Sequence, residues 1–248
     1  MTVHLVGAGP GDVGLLTLRA AELLRKADVV VHDRLVSAEV LAIANPLAEL
    51  IDVGKWPGRP GSTQSDINDI LIDRGLRFAC VVRLKGGDPH VFGRAAEEQV
   101  ALQGAGISVT VVPGISSAIA APAAVGIPLT TRLASSGFTV ITAHQDPTHD
   151  RGLDWDALAR LGTTLVILMG AARAAKFRDR LVGGGMDPQT PVAIITNATT
   201  SQQAEHRLVL DDLGREAVAN PSVIVIGAVA ALDLRELASH SIDQEVSS

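Results

Sequence analysis

Gly7-Ala8-Gly9-Pro10-Gly11-Asp12 follows one apolar run and precedes a helical pattern, and Lys85-Gly86-Gly87-Asp88-Pro89-His90-Val91-Phe92-Gly93-Arg94 does the same further along. Glycine lets a backbone turn tightly and approach a ligand closely. A dinucleotide site is the first chemistry such loops suggest, and Asp33, ending the second apolar run, stands where a ribose-binding acid belongs. The spacing argues against it. Counted from Gly7, the third glycine of GxGxxG falls on Asp12, and Pro10 has no N–H to offer a phosphate. In both loops an acid follows the glycines, which suits a cationic or hydrogen-bond-rich ligand better than a polyphosphate. S-adenosylmethionine, with a sulfonium and an ammonium beside adenosine, has that chemistry.

The elements that carry these loops alternate between short β-branched runs and helical patterns, the signature of βαβ units. Strands are expected at 3–6, 29–31, 50–53, 78–84 and 109–112, with helices at 15–26, 38–44, 65–74 and 95–103. After Pro128 the pattern restarts, with strands at 139–142, 164–169, 192–196, 206–210 and 223–226 and helices at 155–160, 171–182, 213–219 and 230–238. This predicts an α/β protein of two lobes, 1–128 and 129–238, followed by a polar tail at 239–248.

Composition narrows the partners. The 248 residues carry a formal net charge of −6, which gives no basic excess for a general nucleic-acid binder. Cys80 is the single cysteine, which excludes a disulfide scaffold or a cysteine-based zinc site. His32, His90, His144 and His149 are scattered without an i,i+4 pair, so no metal site is expected. The opening residues lack a basic stretch before glycine and acid intervene, so a cytoplasmic protein is expected. Residues 105–131 contain no charge, yet Pro113, Pro122 and Pro128 would break a membrane-spanning helix. They read as a strand, a glycine turn, a short helix and a linker.

The run Val6-Gly7-Ala8-Gly9-Pro10-Gly11-Asp12, with Leu16-Thr17-Leu18 after it, resembles the opening of the tetrapyrrole methyltransferases. Asp33-Arg34-Leu35-Val36-Ser37, Val53-Gly54-Lys55, Arg83-Leu84-Lys85-Gly86-Gly87-Asp88-Pro89 and Phe92-Gly93-Arg94 resemble the branch that acts on uroporphyrinogen III. So do Val112-Pro113-Gly114-Ile115 and Gly126-Ile127-Pro128-Leu129-Thr130, and the likeness extends from Val3 to about Leu232. It implies a two-lobed tetrapyrrole methylase fold with parallel or mixed sheets, helices on both faces and the active site in the cleft between lobes. It also implies a homodimer that methylates uroporphyrinogen III at C2 and then C7, giving precorrin-2 by way of precorrin-1, for sirohaem and cobalamin. No NAD or iron chemistry is expected, because the fused dehydrogenase–chelatase module of some relatives has no counterpart here.

Matched motif by motif, the cofactor site would use Pro10, Gly86, Gly87, Asp88, Val91, Ser116, Ser117, Met169 and Ala198, with S-adenosylhomocysteine as the product. The resemblance gives Asp33 proton acceptance and Lys55 proton donation. The substrate's many carboxylates meet a net-acidic protein, so local arginines must bind them, and Arg34, Arg94 and Arg132 are the candidates, with Arg59 a weaker one. Glu97, three residues after Arg94, either orients that arginine or competes with Asp33 as the base. The chain departs from its relatives at Pro60, Thr131, Ala143 and Ala95-Ala96, positions that bear on substrate identity. A later precorrin methyltransferase, an NAD(P)-binding oxidoreductase and a binding protein without turnover are the alternatives.

Overall fold

β-Branched runs form two five-stranded sheets, and each strand order shows how the chain returns. The first comprises β1 (Thr2–Gly7), β2 (Val29–His32), β3 (Glu49–Asp52), β4 (Cys80–Lys85) and β5 (Ser108–Val112), in the order β3-β2-β4-β1-β5. All its pairings are parallel. Parallel neighbours need crossover connections, here α1 (Leu18–Lys26), α2 (Ala38–Leu41), α3 (Gln64–Arg77) and α4 (Ala95–Gly104). The computed structural model describes residues 1–54, 62–132, 134–143 and 152–235.

The second sheet contains β6 (Phe138–Thr142), β7 (Thr164–Leu168), β8 (Pro191–Thr196), β9 (Ala204–Val209) and β10 (Ser222–Ile226), in the order β6-β7-β10-β8-β9. It is mixed: β6 runs parallel to β7, β10 is antiparallel to both β7 and β8, and β8 is antiparallel to β9. Helices α6 (Trp155–Arg160) and α7 (Ala174–Gly183) close over one face, where Trp155 stacks on Phe177 with ring centroids 6.1 Å apart.

Side-chain caps set most helix starts. Thr17 accepts from Ala20 N, Ser37 from Val40 N and Asp154 from Ala157 N, while Thr63 and Asp66 form a reciprocal capping box. Capping explains why the helix expected at 15–26 begins at Leu18: Asp12 caps a separate 3-10 turn, Val13–Leu15, and Thr17 then starts α1. The helix expected at 213–219 does not form. Gly214 adopts φ +82° against Ala175, leaving 2.3 Å between a Cβ there and Ala175 N, so the chain turns instead. The expected terminal helix opens as a 3-10 turn, Ala228–Ala231, with Leu232 extended; residues from 236 onward lie outside the described part.

The chain divides into two compact units, Met1–Ser117 and Ala118–Ser248, whereas the sequence pattern put the boundary at 128/129. The intervening helix α5 (Ser117–Ala124) sends Ala118 and Ala121 into the core of the second unit, where Val125, Ile127, Val166, Ala193 and Val225 are also buried. Packing, not the later glycine–proline turn, decides the division. Among the described residues no helix is long and apolar enough to cross a membrane; the uncharged stretch forms β5 and α5, with Pro122 inside the helix.

Candidate functional site

The loops leaving the C-terminal ends of the first sheet are stitched together through glycine. Gly9 and Gly87 exchange backbone hydrogen bonds, Gly9 N to Gly87 O at 3.2 Å and Gly87 N to Gly9 O at 2.7 Å. Gly114 lies so close that a Cβ there would come within 2.2 Å of Gly87 O. Asp88 locks the arrangement: its Oδ1 accepts from His90 N at 2.8 Å and its Oδ2 from Gly114 N at 3.0 Å. Three loops, after β1, β4 and β5, thus share one backbone junction. Gly87, at φ +67°, has only Ser116 Cα (3.7 Å) and Ser117 N (3.8 Å) near its Cβ position, so the junction presents smooth backbone on that side.

The loop after β2 joins the same edge. A Cβ on Gly86 would stand 3.2 Å from Leu35 Cβ, and one on Gly54 would meet Arg34 at 2.7 Å. Asp33 lies between these contacts, its carboxylate partly exposed. Residue spacing alone does not reveal what holds it. Arg83, 1% exposed in the middle of β4, donates from Nη2 to Asp33 Oδ1 at 2.6 Å and from Nε to Glu98 Oε1 at 3.2 Å. Lys85, two residues on and therefore on the same face of β4, donates to Glu98 Oε1 at 2.8 Å. Gln64 Nε2 reaches the same oxygen at 3.4 Å.

Arg83, Lys85 and Glu98 are all buried, and Glu98 Oε2 has no hydrogen-bond partner among the described residues. Burial pushes the Lys85 ammonium below the usual lysine range, helped by Arg83 and opposed by Glu98 and Asp33. The signal was present in the sequence: two cations at i and i+2 interrupt an otherwise apolar strand, Cys80-Val81-Val82-Arg83-Leu84-Lys85.

Arg94 and Glu97 form a forked pair at the start of α4, Nε to Oε1 at 2.9 Å and Nη2 to Oε2 at 2.5 Å, with both side chains exposed. The Arg94 hydrogen bonds hold the Glu97 carboxyl below its usual range and raise Arg94. Phe92 and Arg94 take positive φ, 54° and 59°, around Gly93, where a Cβ would strike Pro89 O at 2.4 Å. Val91 and Phe92 are left exposed. Pro10 is partly exposed beside Gly9, and Ser116 is buried. Lys55, Arg59 and Pro60, with His144 and His149, lie outside the described residues.

The remaining candidates belong to the second unit. Met169 follows β7 at φ 55°, 47% exposed after a fully buried strand, and buried Ala198 sits between Asn197 and Thr199, both at positive φ, after β8. Because β10 is antiparallel to both β7 and β8, these two sites leave the same edge of that sheet. Arg132 is exposed in the turn bridged by Thr131 and Ser135. Among the described residues no three His, Cys, Asp or Glu side chains gather as a metal site.

Comparison with known proteins gives consistent relatives. The chain is 44% identical to the S-adenosyl-L-methionine-dependent uroporphyrinogen III methyltransferase of Methanosarcina barkeri, over 93% of this chain and 92% of that protein. It is 46% identical to a siroheme synthase of Edwardsiella ictaluri over 93% of this chain, but spans only 50% of that longer protein. The solved uroporphyrin-III C-methyl transferase of Thermus thermophilus, complexed with S-adenyl homocysteine, superposes with a TM-score of 0.81 at 38% identity, covering 92% of this chain and 98% of that one. The family model for Tetrapyrrole (Corrin/Porphyrin) Methylases matches residues 2–214. On that match and those identities, the chain belongs to the tetrapyrrole methylases.

Proposed function

We propose that the protein transfers methyl groups from S-adenosylmethionine to uroporphyrinogen III, at C2 and then C7, giving precorrin-2 by way of precorrin-1 as a precursor of sirohaem and cobalamin. The observation that carries this reading is the Asp33 carboxylate. It is partly exposed at the C-terminal end of β2, with Oδ1 held by a buried guanidinium and Oδ2 without a hydrogen bond among the described residues. Methylation of a pyrrole carbon leaves a proton to be shed, and a positioned carboxylate is suited to accept it. Glu97, the competing base, has both oxygens engaged by Arg94 and is made less basic by them. We therefore assign proton acceptance to Asp33 and the orientation of Arg94 to Glu97. Lys55 remains the proposed donor.

The residues present suit the cofactor. A pyrophosphate would meet Asp88 and Asp12, whereas an adenosyl ligand needs smooth backbone, and the Gly87 surface supplies it. Pro10, Gly86, Gly87, Asp88, Val91, Ser116, Ser117, Met169 and Ala198 would hold it. Bound S-adenosylmethionine supplies a methyl group made electrophilic by its sulfonium. The chain's part is to hold both reactants and exclude water; Asp88 does so indirectly, by bracing its own loop. Arg34, Arg94 and Arg132 would grip the substrate's carboxylates. A homodimer and a cytoplasmic location belong to the same proposal.

Incubation with uroporphyrinogen III and methyl-labelled S-adenosylmethionine, followed by mass spectrometry, tests it. A gain of two methyl groups is expected. No gain, or turnover only on an already methylated precorrin, overturns it. Asp33→Asn is expected to slow product formation about 100-fold while S-adenosylhomocysteine affinity stays unchanged.

A further inference from the structure

We infer that Glu98 is a positioning residue for the methyl-transfer reaction, orienting the Arg83 guanidinium so that Arg83 in turn fixes the Asp33 carboxylate. The inference rests on the reading of Asp33 as the proton acceptor. Its geometry is independent of that reading. Glu98 is 0% exposed, and Arg83 Nε and Lys85 Nζ converge on its Oε1 at 3.2 and 2.8 Å, with Gln64 Nε2 a longer, weaker contact at 3.4 Å.

A guanidinium is a rigid planar fork, so fixing one nitrogen directs the others. Nε is held by Glu98, and Nη2, on the other arm, carries Asp33 at 2.6 Å. The remaining nitrogen, Nη1, has among the described residues only the Val31 and Leu84 carbonyls, both at 3.4 Å, too long to set the plane. Glu98 is thus the strong anchor on the buried side, and Lys85 keeps Glu98 itself in place.

Stability does not account for the cluster. Apolar side chains of similar volume often fill such a space at no net loss, and Glu98 Oε2, without a partner among the described residues, adds a desolvation cost. What the cluster provides is a fixed direction for Asp33, whose side chain would otherwise be a partly exposed carboxylate free to rotate.

A double-mutant cycle tests this, with product formation measured at saturating cofactor and below each variant's melting temperature. Glu98→Gln is expected to lower kcat about 10- to 100-fold, with KM and S-adenosylhomocysteine affinity within about threefold of the parent. In an Asp33→Asn background the same change is expected to cost less than about threefold, because the group it positions is gone. Losses that multiply in the double variant, or an unchanged kcat in Glu98→Gln, overturn the inference. Asp33→Asn at the parental rate overturns instead the assignment of the base, and with it this role for Glu98. Should Glu98→Gln fail to give a cooperative melt, Arg83→Lys decides by the same cycle. It keeps the charge but cannot engage both carboxylates in one plane, so the same non-additivity is expected and multiplying losses refute it.

Discussion

The two units use the same ionic residues for opposite ends. In the first, Arg83, Lys85 and Glu98 are buried beneath the loop edge of a parallel sheet. In the second, the buried polar side chains among the described residues are Ser135 and Thr164, and the arginine–carboxylate network lies at the surface. There Arg207 donates to the Ala230 and Leu232 carbonyls, at 3.0 and 2.7 Å, and pairs with Glu205, which also takes Arg235 at 3.0 Å. The second network straps the last described segment onto β9. Charge at a surface is a cheap fastening. Charge inside a sheet has to be explained by what it directs, and the first unit directs Asp33.

Breaking the buried set one member at a time is the harshest trial of that contrast. Arg83→Met leaves Lys85 as the one cation on Glu98 among the described residues and is expected to cost about 3–5 kcal/mol in urea unfolding. Replacing the three together, Arg83→Met with Lys85→Met and Glu98→Leu, is expected to recover that loss and to gain up to about 1–4 kcal/mol, while methyl transfer collapses. A triple variant as unstable as the single one would mean that the cluster serves the fold.

Gly114→Ala probes the loop junction. The added Cβ would come within 2.2 Å of Gly87 O, so backbone must move, at an expected cost of about 1–3 kcal/mol and a measurable loss of S-adenosylhomocysteine affinity in titration calorimetry. Ile224→Val, in the apolar core of the second sheet, is the control. Ile224 is fully buried on the central strand β10, and the lost methylene is expected to cost about 0.5–1.5 kcal/mol with kcat unchanged. A matching loss of activity would mean that packing in the second core bears directly on the reaction.

Much of this was legible in the chain. Strand and helix alternation follows from β-branched runs and caps, and the helix expected at 155–160 is α6 residue for residue. The Asp33, Gly86 and Gly87 loops gather at one sheet edge because parallel strands all end there. Other features depend on partners that sequence spacing cannot supply. Glu98 sits in Ala95-Ala96-Glu97-Glu98, where spacing does not tell two consecutive acids apart; Glu97 is exposed, and Glu98, one residue on, turns into β4. Gly214 ended an expected helix because Ala175 stands against it, a contact between segments far apart in sequence. The lobe boundary moved from 128/129 to 117/118 because α5 is small and apolar, and such a helix follows whichever core it can enter.

The smallest effect comes from the surface strap, and its pH dependence has a definite sign. Asp233 accepts from Arg235 Nε at 2.8 Å and from Arg235 N at 2.9 Å, with Arg207 Nη2 at 3.6 Å. The Arg235 hydrogen bonds hold its carboxyl well below the usual carboxylate range. A carboxyl depressed in the folded state contributes stability that is fully present above its unfolded value, about 4, and is lost as pH falls toward the folded one. The melting temperature of the parent protein should therefore exceed that of Asp233→Asn by a small margin at pH 7, and the margin should shrink below about pH 4. Added salt should shrink it at either pH, since the pair is partly exposed. Thermal melts of both proteins from pH 7 to pH 3 measure this directly. A margin that does not change with pH would mean that Asp233 acts through shape, since its Oδ1 lies where a Cβ on Gly126 would come within 2.6 Å, and that the strap owes nothing to charge.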